Sequence, residues 1–154
     1  SADTDNPEGY YEFERVKELD KGDTAWIADT QGKAVKVISA LLEYLPTDYQ
    51  YRVIFMHRKI DEVLNSQRKM LLHRGEDVDA VNDAEMAELF AKHLTKIKGW
   101  LRDQPNFAVL DVDYNAMLKA PEPYIHTLNQ FLDKSLDEEA MVKIVNPQLY
   151  RNRI

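Results

Sequence analysis

The residues best suited to chemistry stand in the run Met56-His57-Arg58-Lys59-Ile60-Asp61-Glu62-Val63-Leu64-Asn65-Ser66. Arg58 follows the apolar stretch Tyr51–Met56, and a guanidinium placed there offers a planar fork of donors that matches a phosphate bidentately. Ser66 comes eight residues later, two turns into an expected helix, where its hydroxyl can donate to an oxygen held by Arg58. The same spacing also suits a purely structural role. In that case Arg58 pairs with an acid across the top of a sheet and Ser66 bonds its own helix carbonyl. Spacing alone leaves both readings open.

The other constellations are weaker. His57, His73, His93 and His126 include no close pair at metal-ligand spacing, and no cysteine is present, so the reading is of a chain without a metal. GxGxxG, GxxxxGK and the serine and cysteine nucleophile motifs are missing. Glu12, Glu14, Glu18 and Asp20 read as a solvated helix face. Tyr10, Tyr11 and Phe13 either line an acceptor pocket or pack into the core. Arg151 and Arg153 either reach an anionic site or end a solvated tail.

Several elements must position these groups. Tyr10–Leu19 reads as a short helix stopped by Asp20-Lys21-Gly22, and Thr24–Thr30 as a turn or two of helix. Ala34–Ile38 and Tyr51–Met56 are β-rich runs, the second almost wholly apolar, as a strand covered on both faces requires. Helical turns are expected over Ala40–Leu45, ending at Pro46. Helices are expected over Ile60–His73, closed by Gly75, and over Asn82–Arg102, with Asn82 as N-cap, Glu85 as its capping-box partner and Met86, Leu89, Phe90, Leu94, Ile97 and Leu101 as the apolar stripe. Phe107–Val112 is a third strand, and Tyr124–Leu132 and Leu136–Val145 are further helices. Strands alternating with helices predict a parallel sheet whose ligands collect at the strands' carboxyl ends, near Ser39, His57-Arg58 and Asp113-Tyr114.

Bulk properties narrow the class. The chain of 154 residues suits one domain, and 44% hydrophobic with 31% charged residues is a globular balance. Without cysteine there are no disulfides, which agrees with a reducing compartment. No apolar run approaches membrane-spanning length, and the first residues lack a signal peptide's basic and apolar regions, so the expected location is the cytoplasm. A net charge of −7 argues against nucleic acid or an anionic membrane as partner, though one local pocket can still be basic.

Asp5-Asn6-Pro7-Glu8-Gly9-Tyr10-Tyr11-Glu12-Phe13-Glu14, Gly32–Val37, Tyr51–Met56 with Arg58 and Ser66, Phe107–Tyr114 and the tail Leu149-Tyr150-Arg151-Asn152-Arg153 together resemble the bacterial branch of the sulfotransferase family. The resemblance implies an α/β fold: a three-layer, P-loop-like parallel sheet with helices on both faces, lacking its first central strand. It implies a single domain over residues 1–154, N-terminally incomplete relative to the family. The implied reaction moves a sulfuryl group from 3′-phosphoadenosine 5′-phosphosulfate to a hydroxyl or amine of an unnamed acceptor. Arg58 and Ser66 would hold the 3′-phosphate of that donor or of adenosine 3′,5′-bisphosphate, Lys36 would face the sulfuryl group, and Arg151 and Arg153 would reach the same anion. Two departures stand out. The glycine-rich loop that cradles the 5′-phosphosulfate is missing, and the position of the family's histidine, two residues beyond Lys36, holds Ile38. Lys36, Asp113 and His57 remain as candidate bases. The implied chain is therefore inactive as it stands, the alternatives being a non-catalytic nucleotide-binding or assembly module and a truncated gene product. Loss of a central strand would expose the edges of the strands at 34–38 and 51–56, so these are expected either to pair directly or to be covered in a homodimer.

Overall fold

The computed structural model describes residues 11–75 and 82–149. Two 3₁₀ helices come first, Glu14–Lys21 and Ala25–Thr30, then a third over Ser39–Tyr44. Strand β1 (Tyr51–His57) leads into helix α1 (Ile60–Arg74), followed by α2 (Asp83–Arg102) and strand β2 (Phe107–Asp113). Helices α3 (Tyr114–Lys119), α4 (Pro121–Leu132) and α5 (Glu138–Ile144) follow, with a last 3₁₀ turn at Pro147–Leu149.

The expected parallel pairing is present. β1 and β2 run parallel in strict register from Tyr51↔Phe107 to His57↔Asp113. Val53 and Phe55 pack on one face against Leu42, Ile97 and Leu101, which come from the third 3₁₀ helix and α2, and Tyr51 packs against the cluster of Val16, Leu19, Trp26 and Ile27. On the other face Arg52 donates through Nη1 to the Phe131 carbonyl of α4, 2.5 Å away. Helices therefore lie on both faces of the strand pair, giving three layers in a mixed α/β fold. Tyr51 stacks on Phe107 at 4.7 Å and donates its hydroxyl to the Pro46 carbonyl at 2.8 Å. Burial pushes that phenol up to about 12, so it remains a donor.

A second cluster lies under the amino-terminal turns. Val16 and Leu19 are three residues apart, which in a 3₁₀ helix puts them on one side, against Trp26 and Ile27. Gly22, at φ +87°, ends the first turn and returns its N–H to the Glu18 and Leu19 carbonyls. Gly75, at φ +72°, closes α1 in the same way.

The Ala34–Ile38 reading needs correction. The segment is extended and its side chains alternate, with Val35 and Val37 turned to the core and Lys36 and Ile38 exposed, but it forms no ladder. It does not pair with β1, whose partner is β2. β-branched residues favour a half-buried extended chain, and a strand also needs a partner at ladder distance.

Other boundaries shift for local reasons. α4 begins at Pro121 rather than Tyr124, because a proline in the first turn lacks only an N–H that the helix would leave unbonded. α3, unforeseen, is nucleated by Asp113, whose carboxylate accepts from Ala116 N at 2.9 Å. Asn82 caps α2 as expected, accepting from Ala84 N at 2.8 Å. The α2 stripe is narrower than its pattern, since Leu89 is exposed. In α1 the most buried described side chain is not apolar: it is Glu62.

Candidate functional site

Because β1 and β2 end in register, the residues just past their carboxyl ends meet. Arg58 follows β1, while Tyr114 and Asn115 open α3 after β2. Arg58 Nε donates to Glu62 Oε2 at 3.0 Å, and its guanidinium carbon lies 5.4 Å from the centroid of the Tyr114 ring. Glu62 is fully buried, and Asn115 Nδ2 donates to both its oxygens, at 2.9 and 3.0 Å. The Asn115 carbonyl oxygen in turn accepts from Lys59 N at 3.4 Å, an amide at the start of α1 with no partner inside the helix. Both acidic residues of the first turn, Asp61 and Glu62, also favour that helix end electrostatically.

An acid partner of Arg58 thus comes from the first turn of the helix that follows it, and Asn115 supplies the link across the strand ends. Ser66 is partly buried one turn beyond Glu62, and among the described residues it makes no bond to its helix carbonyl. Glu62 and Ser66, four residues apart in α1, therefore lie along one face of that helix, and Arg58 precedes it. The sequence reading overlooked Glu62, although its spacing from Arg58 is that of a helical ion pair. Asn115 carried no such signal, because only the strand register brings it near.

A second cluster lies on the sheet face that meets α2. Asp111 is hydrogen-bonded to His57 Nε2, and Lys98 Nζ lies 3.0 Å from the same carboxylate. The Phe55 ring lies beneath, 5.0 Å from the His57 ring and 5.7 Å from Lys98 Nζ. Partial burial pushes the Asp111 carboxyl up, but the hydrogen bonds from His57 and Lys98, with their charges, outweigh it and hold the group below its ordinary value. A carboxylate depressed in the folded state contributes stability that is present above its unfolded value and lost as pH falls through the folded one. Urea unfolding of wild type between pH 6 and pH 2.5 should therefore show stability falling below about pH 4, and Asp111→Asn should flatten part of that fall. Identical slopes for the two proteins would show that the pair makes no net contribution.

Of the other candidate bases, Asp113 is committed to capping α3, and Lys36 Nζ lies 3.4 Å from Glu12. Lys36, Tyr11, Phe13 and Trp26 do come together, around an open cleft of about 350 Å³ that Arg15 and Lys33 also line. Phe13 meets Trp26 edge-on at 5.1 Å, so the ring packs and lines the cleft at once. Glu12 sits between Lys17 and Lys36 rather than facing solvent alone. His93 is hydrogen-bonded to Ser39 at 2.8 Å, and His126 lies 3.3 Å from Glu138. Among the described residues no three acidic or histidine side chains could together hold a metal ion. Tyr10, Arg151, Arg153 and the side chain of His73 lie outside the described residues.

The sequence model of the sulfotransferase domain matches residues 38–152, about three quarters of the chain, a span that includes Arg58, Glu62, Ser66 and Asn115. No curated protein and no solved structure matches the chain. Among the described residues, no helix is long and apolar enough to cross a membrane.

Proposed function

The chain belongs to the sulfotransferase family, and from that premise we propose that its strand-end site binds the 3′-phosphate of a 3′-phosphoadenosine 5′-phosphosulfate donor, or of the adenosine 3′,5′-bisphosphate left after transfer. The observation that carries this reading is Arg58, held just past the carboxyl end of a parallel strand, with Ser66 in the helix that follows. Ligands of open α/β sheets collect at that edge. In the family reaction, nucleophilic attack by the acceptor's hydroxyl or amine displaces the bisphosphate in line, and cationic groups stabilise the charge that develops. Lys36, beside the cleft of Tyr11 and Phe13, is the residue proposed to face the sulfuryl group, with the acceptor in that cleft. The donor and acceptor are small molecules, and the place of action proposed is the cytoplasm.

One observation favours a second reading, binding without transfer. Within these 154 residues the five glycines are dispersed, so no glycine-rich loop offers its N–H groups to a 5′-phosphosulfate. These residues by themselves would then bind the nucleotide and leave the sulfuryl group in place.

Calorimetry separates the possibilities. Adenosine 3′,5′-bisphosphate should bind more tightly than adenosine 5′-monophosphate. Arg58→Ala should weaken the bisphosphate alone by roughly one to two orders of magnitude, the value of a charge-assisted contact. Equal affinity for the two nucleotides, or no binding of either, would sink the proposal. Incubation with a labelled sulfate donor and a panel of phenols, alcohols and amines then distinguishes transfer from binding alone.

A further inference from the structure

Glu62 is a charged group in the place where an apolar residue would be expected. It is fully buried on the face that α1 turns inward, and a buried ion pair is generally no more stabilising than a well-packed apolar replacement. Its contacts among the described residues centre on the Arg58 guanidinium. Glu62 accepts from Nε, the Tyr114 ring lies along the guanidinium, and Asn115 grips both Glu62 oxygens from the end of the neighbouring strand. Arg58 nevertheless keeps 26% of its side chain accessible. An arginine side chain is long and rotamer-rich, and bidentate recognition of phosphate needs its plane fixed before the ligand arrives.

We infer that Glu62, Tyr114 and Asn115 are positioning residues that set the plane of Arg58 and so determine selectivity for a phosphate monoester at the nucleotide's 3′ position. The inference rests on the phosphate reading of Arg58 above. Glu62 holds the Nε side of the guanidinium and so sets which way its plane faces. Tyr114 limits rotation about the last torsions, and Asn115 ties the arrangement to the end of β2. Glu62 also places a negative charge beside the anion site, so its effect differs from that of a simple cation clamp. Removing the charge should raise the affinity for anions in general and lower the preference for the correctly placed one.

The test reads a ratio, the affinity for adenosine 3′,5′-bisphosphate over that for adenosine 5′-monophosphate, measured by calorimetry on the folded protein. Glu62→Gln should lower this ratio by about five- to thirtyfold, the range expected for coupled neighbours. Tyr114→Leu should lower it about two- to fivefold, and Tyr114→Phe, which keeps the ring, should leave it unchanged. In an Arg58→Ala background Glu62→Gln should have no further effect on the ratio, because Glu62 acts through Arg58. A purely structural role for Glu62 would move the melting temperature and leave the ratio of the folded protein intact. If Arg58→Ala abolishes selectivity while Glu62→Gln and Tyr114→Leu retain it, the positioning role is overturned and the phosphate reading stands. If Arg58→Ala itself retains selectivity, the phosphate reading fails and this inference with it. Should Glu62→Gln not fold, Tyr114→Leu against Tyr114→Phe decides the matter.

Discussion

Glu62→Ala is expected to lower the unfolding free energy by about 3–5 kcal/mol, a large fraction of what a domain of this size possesses. The cause is not the loss of an attraction so much as what remains. Arg58 Nε loses its acceptor within a largely buried site, and the Asn115 amide, itself buried, loses two. A buried polar group that loses its partner costs about 1–3 kcal/mol, more when charged, and here two groups lose bonds together. Replacing Arg58 by Met in the same molecule should recover part of the loss, because the charge that faced Glu62 is removed and an apolar chain of similar length packs in its place. Urea titration monitored by circular dichroism measures both proteins. A single variant within 1 kcal/mol of wild type would show that water reaches the site and that Glu62 is not the buried group its geometry indicates.

Phe55→Ala should cost about 3–5 kcal/mol through a different mechanism. Phe55 is 7% exposed and joins three elements: its own strand, Leu42 of the third 3₁₀ helix, and Ile97 and Leu101 of α2. Truncation removes apolar area from the core and leaves a cavity among side chains that are fixed by separate backbones and cannot all collapse into it. Phe55→Leu should cost less, about 1.5 kcal/mol or below, because most of the volume is kept. The ring also supports the cluster above it, so the alanine variant should loosen the His57–Asp111 pair and flatten the acid-side fall in stability, while the leucine variant should largely keep it. Equal stability of the alanine and leucine variants would contradict the packing described.

α1 and α2 were legible in the sequence for simple reasons. Their apolar residues recur at the helical period, Gly75 supplies the left-handed residue that ends the first, and Asn82 supplies the oxygen that starts the second. β1 and β2 were equally clear as short runs rich in β-branched and aromatic residues, although Met56 and Val109 stay exposed. Local chemistry can also mislead. Ala34–Ile38 has the composition and the alternation of a strand, and the alternation is real, with Val35 and Val37 inward; yet strand character depends on a neighbour that those five residues cannot specify.

Arg58, Ser66 and the eight-residue spacing between them can be read from the chain, and so can membership in the sulfotransferase family. What the tertiary structure decided is the company Arg58 keeps. Glu62 is one turn away, but whether its carboxylate meets solvent or is sealed in the core depends on which face α1 turns inward. Asn115 and Tyr114 are more than fifty residues distant, and they reach Arg58 only because β1 and β2 run parallel and end in register at His57 and Asp113. The same register places Asp111 beside His57, and packing of α2 brings Lys98 to it. Residue types and local spacing therefore identified the groups able to bind an anion. Strand pairing, a contact between distant segments that no local pattern encodes, decided which neighbours hold them and in what orientation.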